Sequence, residues 1–219
     1  MIRVSAFRWV PPFAQGHVRD FRVRWALEEA GLAYEAKLIG PDDQVSTSYR
    51  AQQPFGQVPA YEEDGLVLFE SGAIVRYIAE RSERLMPTSS EDRARVTTWM
   101  FAALNTVEPP IQNLAEIDFF YPDEEWAKLR RPAAVDSVKV RLTALSDSLD
   151  GHDYLVDRFT AADLLMTTVL RSLLHTDLVS QMPTLDTYRM RCEARPAYAK
   201  AMADHMAPFG ARPSANNSC

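Results

Sequence analysis

Cysteine is scarce in this sequence, and the two residues present, Cys192 and Cys219, form no Cys-x-x-Cys pair and no metal-site spacing with histidine. A disulfide-stabilised fold and a metal site are therefore not expected, and disulfide exchange in the N-terminal half is disfavoured. No apolar run approaches the roughly 18 residues of a membrane span, and no signal-peptide pattern precedes the first strand-like segment. We expect a soluble protein of the cytoplasm that does not bind membranes.

Lysine is also rare, since only 4 of the 24 basic residues are lysine, and the formal net charge is -6. Acidic and basic residues are interspersed rather than collected into a basic stripe, so nucleic acid is not an expected partner. Hydrophobic residues make up 47% of the 219 positions. That share supports one large core or two smaller ones and argues against a disordered or fibrous protein.

Short β-prone runs alternate with helical patterns over residues 1–82. Strands are predicted at 2–7, 32–39, 58–61 and 66–69, and helices at 18–30, 46–53 and 71–84. Asp64-Gly65 predicts a tight hairpin between the last two strands, and Gly40-Pro41-Asp42-Asp43 is expected to end the second strand. The predicted order is βαβαββα.

Helical periodicity without another strand follows a polar, proline-containing segment, so we predict a linker at 83–90 and an all-helical domain at 91–207. Helices are predicted at 91–116, 124–149, 160–175, 184–192 and 196–207. The double proline after Glu108 is expected to bend or interrupt the first of them. Residues 208–219 are predicted to form a mobile tail.

Four sequence motifs carry a resemblance to a known family. They are Pro54-Phe55-Gly56-Gln57-Val58-Pro59-Ala60, Glu70-Ser71-Gly72-Ala73-Ile74, Trp25-Ala26-Leu27-Glu28-Glu29-Ala30-Gly31 and Phe159-Thr160-Ala161-Ala162-Asp163. Together they resemble the cytosolic glutathione S-transferase family over nearly the whole chain. The resemblance implies an α/β plus all-α fold, in which a thioredoxin-like domain binds glutathione and a helical domain completes a pocket for an apolar electrophile. It also implies detoxification chemistry, glutathione-dependent peroxide reduction as an additional activity, and a homodimer formed by the helix after Ser71 and the helix after Glu91.

The resemblance implies that the Val58-Pro59 peptide bond is cis and that the backbone of Val58 pairs with the cysteinyl part of glutathione, as an added strand does. The alternative is an ordinary trans proline at the start of an edge strand, which X-Pro base rates favour. Gln57 resembles the position that reaches the glycyl carboxylate, where an amide forms an uncharged hydrogen bond.

Glu70 and Ser71 lie where a strand ends and a helix begins, so Ser71 is expected to cap the helix while free N–H groups face an anion. In the family that anion is the γ-glutamyl carboxylate, and Glu70 is the nearest carboxylate for the γ-glutamyl ammonium. A plain N-cap beside a solvated acid is the alternative for an isolated Glu-Ser pair.

The electrophile pocket is assigned by resemblance to apolar side chains from both domains. These are Trp9, Phe13, Met100, Leu104 and Val107, the last three of which belong to a helical stripe that is otherwise core. Thr160 and Asp163 have the spacing of a capping box, and Phe159 and Leu164 that of a hydrophobic staple, so this motif is assigned to stability alone.

The family's tyrosine, serine or cysteine that activates the thiol is absent from the loop between the first strand and the first helix. Alignment backward from Trp25 places His17, Val18 or Arg19 near that position. Helix N-terminal amides with one cation are expected to hold the thiolate instead, and Arg19 is preferred over His17 because arginine stays charged at pH 7.5. A non-catalytic glutathione-binding or interaction module of the same fold remains the alternative.

Overall fold

A computed structural model describes residues 1–210 and divides the chain into two units. The first comprises Met1–Val75 together with the chain from Pro196 onward, and the second comprises Arg76–Arg195. Most of the predicted tail, 211–219 with Cys219, lies outside the described residues, whereas residues 208–210 belong to the 3₁₀ turn Ala207–Gly210.

The first unit is built on a four-stranded mixed sheet of order β2-β1-β3-β4. Its strands are β1 (Ile2–Phe7), β2 (Tyr34–Ile39), β3 (Ala60–Glu63) and β4 (Leu66–Phe69). β1 runs parallel to β2 and antiparallel to β3, and β4 pairs antiparallel with β3. The predicted hairpin turn is confirmed at Asp64 and Gly65, whose φ angles of 47° and 90° suit a tight two-residue loop.

Four helices accompany this sheet along the chain: α1 (Asp20–Ala30), α2 (Pro41–Val45), α3 (Thr47–Arg50) and α4 (Ser71–Ala79). The expected end of the second strand before Gly40 is confirmed, since β2 ends at Ile39, and Pro41 then begins a short helix that the sequence did not predict. Proline fits the first turn of a helix, where its missing N–H has no partner to lose. The Asp43 side chain accepts a 2.8 Å hydrogen bond from the Gly40 N–H and closes this turn.

The second unit is helical, with α5 (Ser90–Ala102), α6 (Glu108–Phe120), α7 (Glu125–Ser148), α8 (Ala161–Arg171) and α9 (Pro183–Glu193). The first ten residues of α8 are buried all round, so this helix forms the centre of the unit. No helix in residues 1–210 is long and apolar enough to cross a bilayer.

A π-helical turn, Ala103–Val107, joins α5 to α6. The double proline therefore changes the helical winding rather than breaking the chain. Proline has no N–H for the regular i to i−4 bond. In the wider π turn that precedes the two prolines, the Glu108 N–H donates to the carbonyl of Ala103, five residues earlier.

The last helix, α10 (Pro196–Met206), packs on α1 in the first unit. The Tyr198 ring contacts Phe21 and Trp25 edge-on, at centroid distances of 5.5 and 5.0 Å. The sequence predicts that this helix belongs to the all-helical domain at 91–207, separate from the domain at 1–82. In the structure it packs on the buried face of α1, more than 160 residues earlier in the chain, and no local sequence pattern indicates that contact.

Candidate functional site

The Val58–Pro59 peptide bond is cis, which confirms that prediction and contradicts the trans alternative. Val58 is buried and lies just before β3, whose first residue is Ala60. Within residues 1–210, neither the N–H nor the C=O of Val58 has a hydrogen-bond partner. A donor and an acceptor on one residue beside a sheet can pair with an extended peptide-like ligand.

The loop before Val58 is tightly held by side chains. The Gln53 amide oxygen accepts hydrogen bonds from the backbone N–H groups of Phe55 (2.8 Å) and Gln57 (3.1 Å). Gly56 has a φ of 68°, a left-handed conformation that glycine adopts without strain. The Gln57 side chain remains exposed beside Val58.

Glu70 and Ser71 lie at the start of α4. Glu70 has a left-handed φ of 70°, which is uncommon for a residue with a side chain and is concentrated at binding and active sites. Ser71, expected to cap the helix from outside, is its first residue, and Glu70 immediately precedes it, with its carbonyl accepting a 3.0 Å hydrogen bond from the Ile74 N–H. The first N–H groups of α4 have no intrahelical acceptor and favour an anion.

Arg22 on α1 approaches Ser71 from within the unit. Its Nη1 lies 3.4 Å from the Ser71 hydroxyl oxygen, and both residues are buried. Arg22 is not among the site residues predicted from the sequence, although its position in the helix gives a signal. Arg22 follows Val18 by four residues and so falls on the predicted apolar stripe of the helix, where an arginine is unusual. The buried guanidinium adds positive charge beneath the α4 N-terminus.

The start of α1 carries the two candidates for thiol activation. Arg19 immediately precedes the helix and is exposed, and His17 is exposed in the turn before it. Within residues 1–210 the N–H groups of Val18 and Asp20 have no acceptor, so this helix start can also bind an anion.

A buried carboxylate, that of Asp20, lies at the same helix start as these amides. Asp20 is 1% exposed, and its Oδ2 accepts a 2.8 Å hydrogen bond from Arg24 Nε and lies 3.1 Å from His205 Nδ1. The Arg24 guanidinium compensates the Asp20 carboxylate. This pairing limits the repulsion that Asp20 exerts on an anion at the helix start.

The five residues assigned to the electrophile pocket belong to different units. Trp9 and Phe13 are 47% and 39% exposed in the loop after β1. Met100 and Val107 are buried in the second unit, and Leu104 is half-buried within the π turn. π turns occur frequently at functional sites, so the position of Leu104 is consistent with a ligand-facing role. The assignment of these five residues stays a prediction.

The capping motif of the second unit has the structural role expected of it. The Thr160 hydroxyl accepts from the Ala162 N–H (3.3 Å), and Asp163 Oδ2 accepts from the Thr160 N–H (2.9 Å). Asp163 Oδ1 accepts from the Leu155 N–H and the Tyr188 hydroxyl. Burial raises the pKa of Asp163, and these donors oppose the rise. The interactions fix the loop before α8.

Comparison with known proteins agrees with the geometry of the first unit. Residues 14–80 match the family model described as glutathione S-transferase, N-terminal domain. Glutathione S-transferase 4 of Zea mays is 30% identical to the chain, over 95% of both proteins. Glutathione S-transferase alpha-2 of Rattus norvegicus is 31% identical, over 81% of this chain and 80% of the rat protein.

A solved structure shares the fold. The crystal structure of a glutathione transferase from Burkholderia graminis, with two glutathione molecules bound per subunit, superimposes with a TM-score of 0.81 at 25% identity. The match covers 92% of this chain and 87% of the Burkholderia chain.

Proposed function

The chain belongs to the glutathione S-transferase family and is a glutathione transferase, and from that premise we propose how its first unit binds glutathione and activates the thiol. The alternative of a non-catalytic module of the same fold is not favoured, because transferases match the chain over most of its length.

Glutathione binds along the first unit in an extended conformation. The backbone N–H and C=O of Val58 pair with the cysteinyl residue, and Pro59 orients them by its fixed ring. The α4 N-terminus and the Ser71 hydroxyl hold the γ-glutamyl carboxylate, and Glu70 holds the γ-glutamyl ammonium. Gln57 donates to the glycyl carboxylate. The free backbone pair of Val58 is the observation that carries this assignment.

The α1 N-terminus holds the glutathione sulfur as thiolate. The N–H groups of Val18 and Asp20 supply partial positive charge, and Arg19 supplies a full charge that does not depend on pH. His17 has the weaker claim, since a histidine can lose its charge within the physiological pH range and an arginine does not. A thiol with a pKa near 8.5 is only a few per cent ionised at neutral pH, so this stabilisation increases the nucleophile available.

The thiolate attacks a hydrophobic electrophile, and its sulfur forms the new bond as the leaving group departs with its electron pair. Trp9, Phe13, Met100, Leu104 and Val107 are the proposed apolar contacts for this substrate. Reduction of organic hydroperoxides by glutathione is a second proposed activity. We place the enzyme in the cytoplasm, acting in detoxification as a homodimer; the support for this is its resemblance to glutathione S-transferases over most of the chain.

Calorimetry with reduced glutathione tests the binding site. We expect micromolar to millimolar affinity for the wild type, and Glu70→Gln and Ser71→Ala should each weaken it by about 1–3 kcal/mol, as for hydrogen bonds to charged groups. Glu35→Gln on β2 and Ser48→Ala on α3 are matched exposed controls. Absence of wild-type binding, or equal binding by all four variants, would reject the assignment.

A further inference from the structure

Two buried hydroxyls form a chain of hydrogen bonds around the Val58–Pro59 segment. The Ala60 N–H donates to the Ser5 oxygen at 2.7 Å, and the Ser5 and Tyr49 oxygens are 2.8 Å apart. The Tyr49 hydroxyl donates to the Gln57 carbonyl at 2.6 Å. Ser5 lies on β1 and Tyr49 on α3, so these hydrogen bonds link β1, α3 and the segment from Gln57 to Ala60.

The direction of this chain follows from the number of protons available. A tyrosine hydroxyl has one proton, and Tyr49 uses it on the Gln57 carbonyl. Ser5 must therefore donate to Tyr49, which leaves its oxygen free to accept from Ala60. The bonds run in one direction from an N–H on one side of Val58–Pro59 to a C=O on the other, an arrangement in which each bond polarises the next. Burial raises the pKa of Tyr49, so it remains a donor at neutral pH.

The Tyr49 ring has a separate packing role. It belongs to a buried cluster with Ile39, Val58 and Ala60, against which Val18 packs. Val18 lies in the turn before α1, the proposed sulfur site. The cluster that contains the ring thus includes Val58 and packs against Val18, while the Tyr49 and Ser5 hydroxyls hold the backbone on either side of Val58–Pro59.

We propose that Tyr49 and Ser5 are positioning residues of the glutathione site, whose hydroxyls fix the register of the Val58 backbone groups that bind the cysteinyl residue. This inference rests on the proposed function, since it requires glutathione to pair with Val58. The hydroxyls hold the Gln57 carbonyl and the Ala60 N–H, which flank Val58–Pro59, whereas the N–H and C=O of Val58 itself remain available. The ligand then meets a preorganised donor and acceptor and does not have to order them on binding.

Removal of the Tyr49 hydroxyl separates positioning from packing. Tyr49→Phe keeps the ring in the cluster but leaves the Gln57 carbonyl without its donor. Tyr34→Phe is the matched control, because the Tyr34 hydroxyl oxygen on β2 is buried and has no hydrogen-bond partner within residues 1–210. We expect the glutathione dissociation constant to rise about tenfold in Tyr49→Phe and to stay at the wild-type value in Tyr34→Phe.

Kinetics give a readout that loss of stability alone does not change. In Tyr49→Phe the KM for glutathione should rise, while the KM for an aryl halide and the kcat at saturating glutathione stay near wild-type values. Ser5→Ala should weaken glutathione binding similarly. The double variant, Ser5→Ala with Tyr49→Phe, should bind glutathione no more weakly than the weaker-binding of the two single variants, because each substitution interrupts the same series of hydrogen bonds. If Ser5→Ala does not fold, the two tyrosine variants decide the question.

The outcomes distinguish this inference from the proposed function. A wild type that does not bind glutathione rejects both. A wild type that binds, with Tyr49→Phe and Tyr34→Phe binding equally well, rejects only the positioning role. A lowered melting temperature in Tyr49→Phe with an unchanged dissociation constant would show that the hydroxyl is structural and would also reject it. Weakened binding confined to Tyr49→Phe and Ser5→Ala supports it.

Discussion

Three charged side chains, Arg19, Asp20 and Arg22, lie within the first turn of α1 or immediately before it. Each residue has a different environment. Arg19 is exposed, Asp20 is buried and paired with Arg24, and Arg22 is buried beside Ser71. Because the Asp20 charge is compensated locally, the field at the helix start is set mainly by the amides and the arginines.

Arg19→Ala should raise the apparent pKa of bound glutathione, because it removes a charge that favours the thiolate. Ultraviolet titration of the thiolate measures this value, and the wild type should give a pKa below that of free glutathione. Arg19→Lys, which keeps the charge, should retain most of the depression. A depression that is lost in His17→Ala and kept in Arg19→Ala would identify His17 as the activating residue, and an unshifted wild type would contradict activation altogether.

Cys192 gives a prediction about alkaline pH. Burial raises its pKa to about 12 from a reference of 9.0. A thiol whose pKa is higher in the folded state stabilises the fold below its unfolded pKa, and this contribution is lost as pH rises through the folded value. The free energy of unfolding should therefore fall between about pH 9 and 12.

Urea unfolding at pH 8 and pH 10 tests this in a Cys219→Ser background, with and without Cys192→Ala. The decrease caused by Cys192 at pH 10 should be about 1.4 kcal/mol, and Cys192→Ala should lack it. In the same background, Cys192 should resist thiol reagents at pH 8 until the protein unfolds. Rapid labelling of the folded protein, or equal pH dependence in both variants, would contradict the prediction.

At the scale of elements, the start of α8 shows how a short motif fixes a long buried helix. A buried helix cannot use water to satisfy its first N–H groups, so side chains must do so. Thr160 and Asp163 supply these acceptors, and Asp163 also orders the preceding loop through the Leu155 N–H.

Thr160→Ala should lower the free energy of unfolding by about 1–2 kcal/mol, because it removes the cap oxygen from a fully buried helix start. Thr160→Ser keeps the oxygen and should lose less. Urea unfolding followed by circular dichroism measures both values. Glutathione affinity should not change in either variant, and a change in affinity without a change in stability would argue for a functional role of this motif.

At the scale of the whole molecule, the first unit exposes apolar surface that a monomer would leave in water. Phe55 is 62% exposed and Phe69 is 39% exposed, and their rings contact each other at a centroid distance of 6.1 Å. Exposed aromatic pairs of this kind are common in association surfaces. They lie near the start of α4, one of the two helices proposed to form the two-fold interface.

Light scattering at micromolar concentration should give about twice the chain mass of 24.7 kDa. Phe55→Ser should shift the equilibrium toward the monomer, since it removes apolar contact area. Val45→Ser, at another exposed apolar position of the same unit, is the control and should leave the mass unchanged. A wild-type mass of one chain would reject the homodimer.

Much of this protein is determined by local sequence. The order of the four strands, the Asp64-Gly65 turn and the cap at Thr160 all depend on residues a few positions apart, so their patterns are visible without a structure. The Val58-Pro59 and Glu70-Ser71 motifs of the candidate site are equally local, and the resemblance they carry indicates the family.

Only the tertiary structure decided what surrounds these motifs. Arg22 meets Ser71 across 49 positions, Ser5 meets Ala60 across 55, and α10 docks on α1 through Asp20 and His205 across 185. No periodicity links residues so far apart, because such pairs are set by how the sheet and helices pack rather than by the local chain. The sequence therefore determines which backbone segment is proposed to bind glutathione, and packing determines the buried hydroxyls and charges that hold that segment in place.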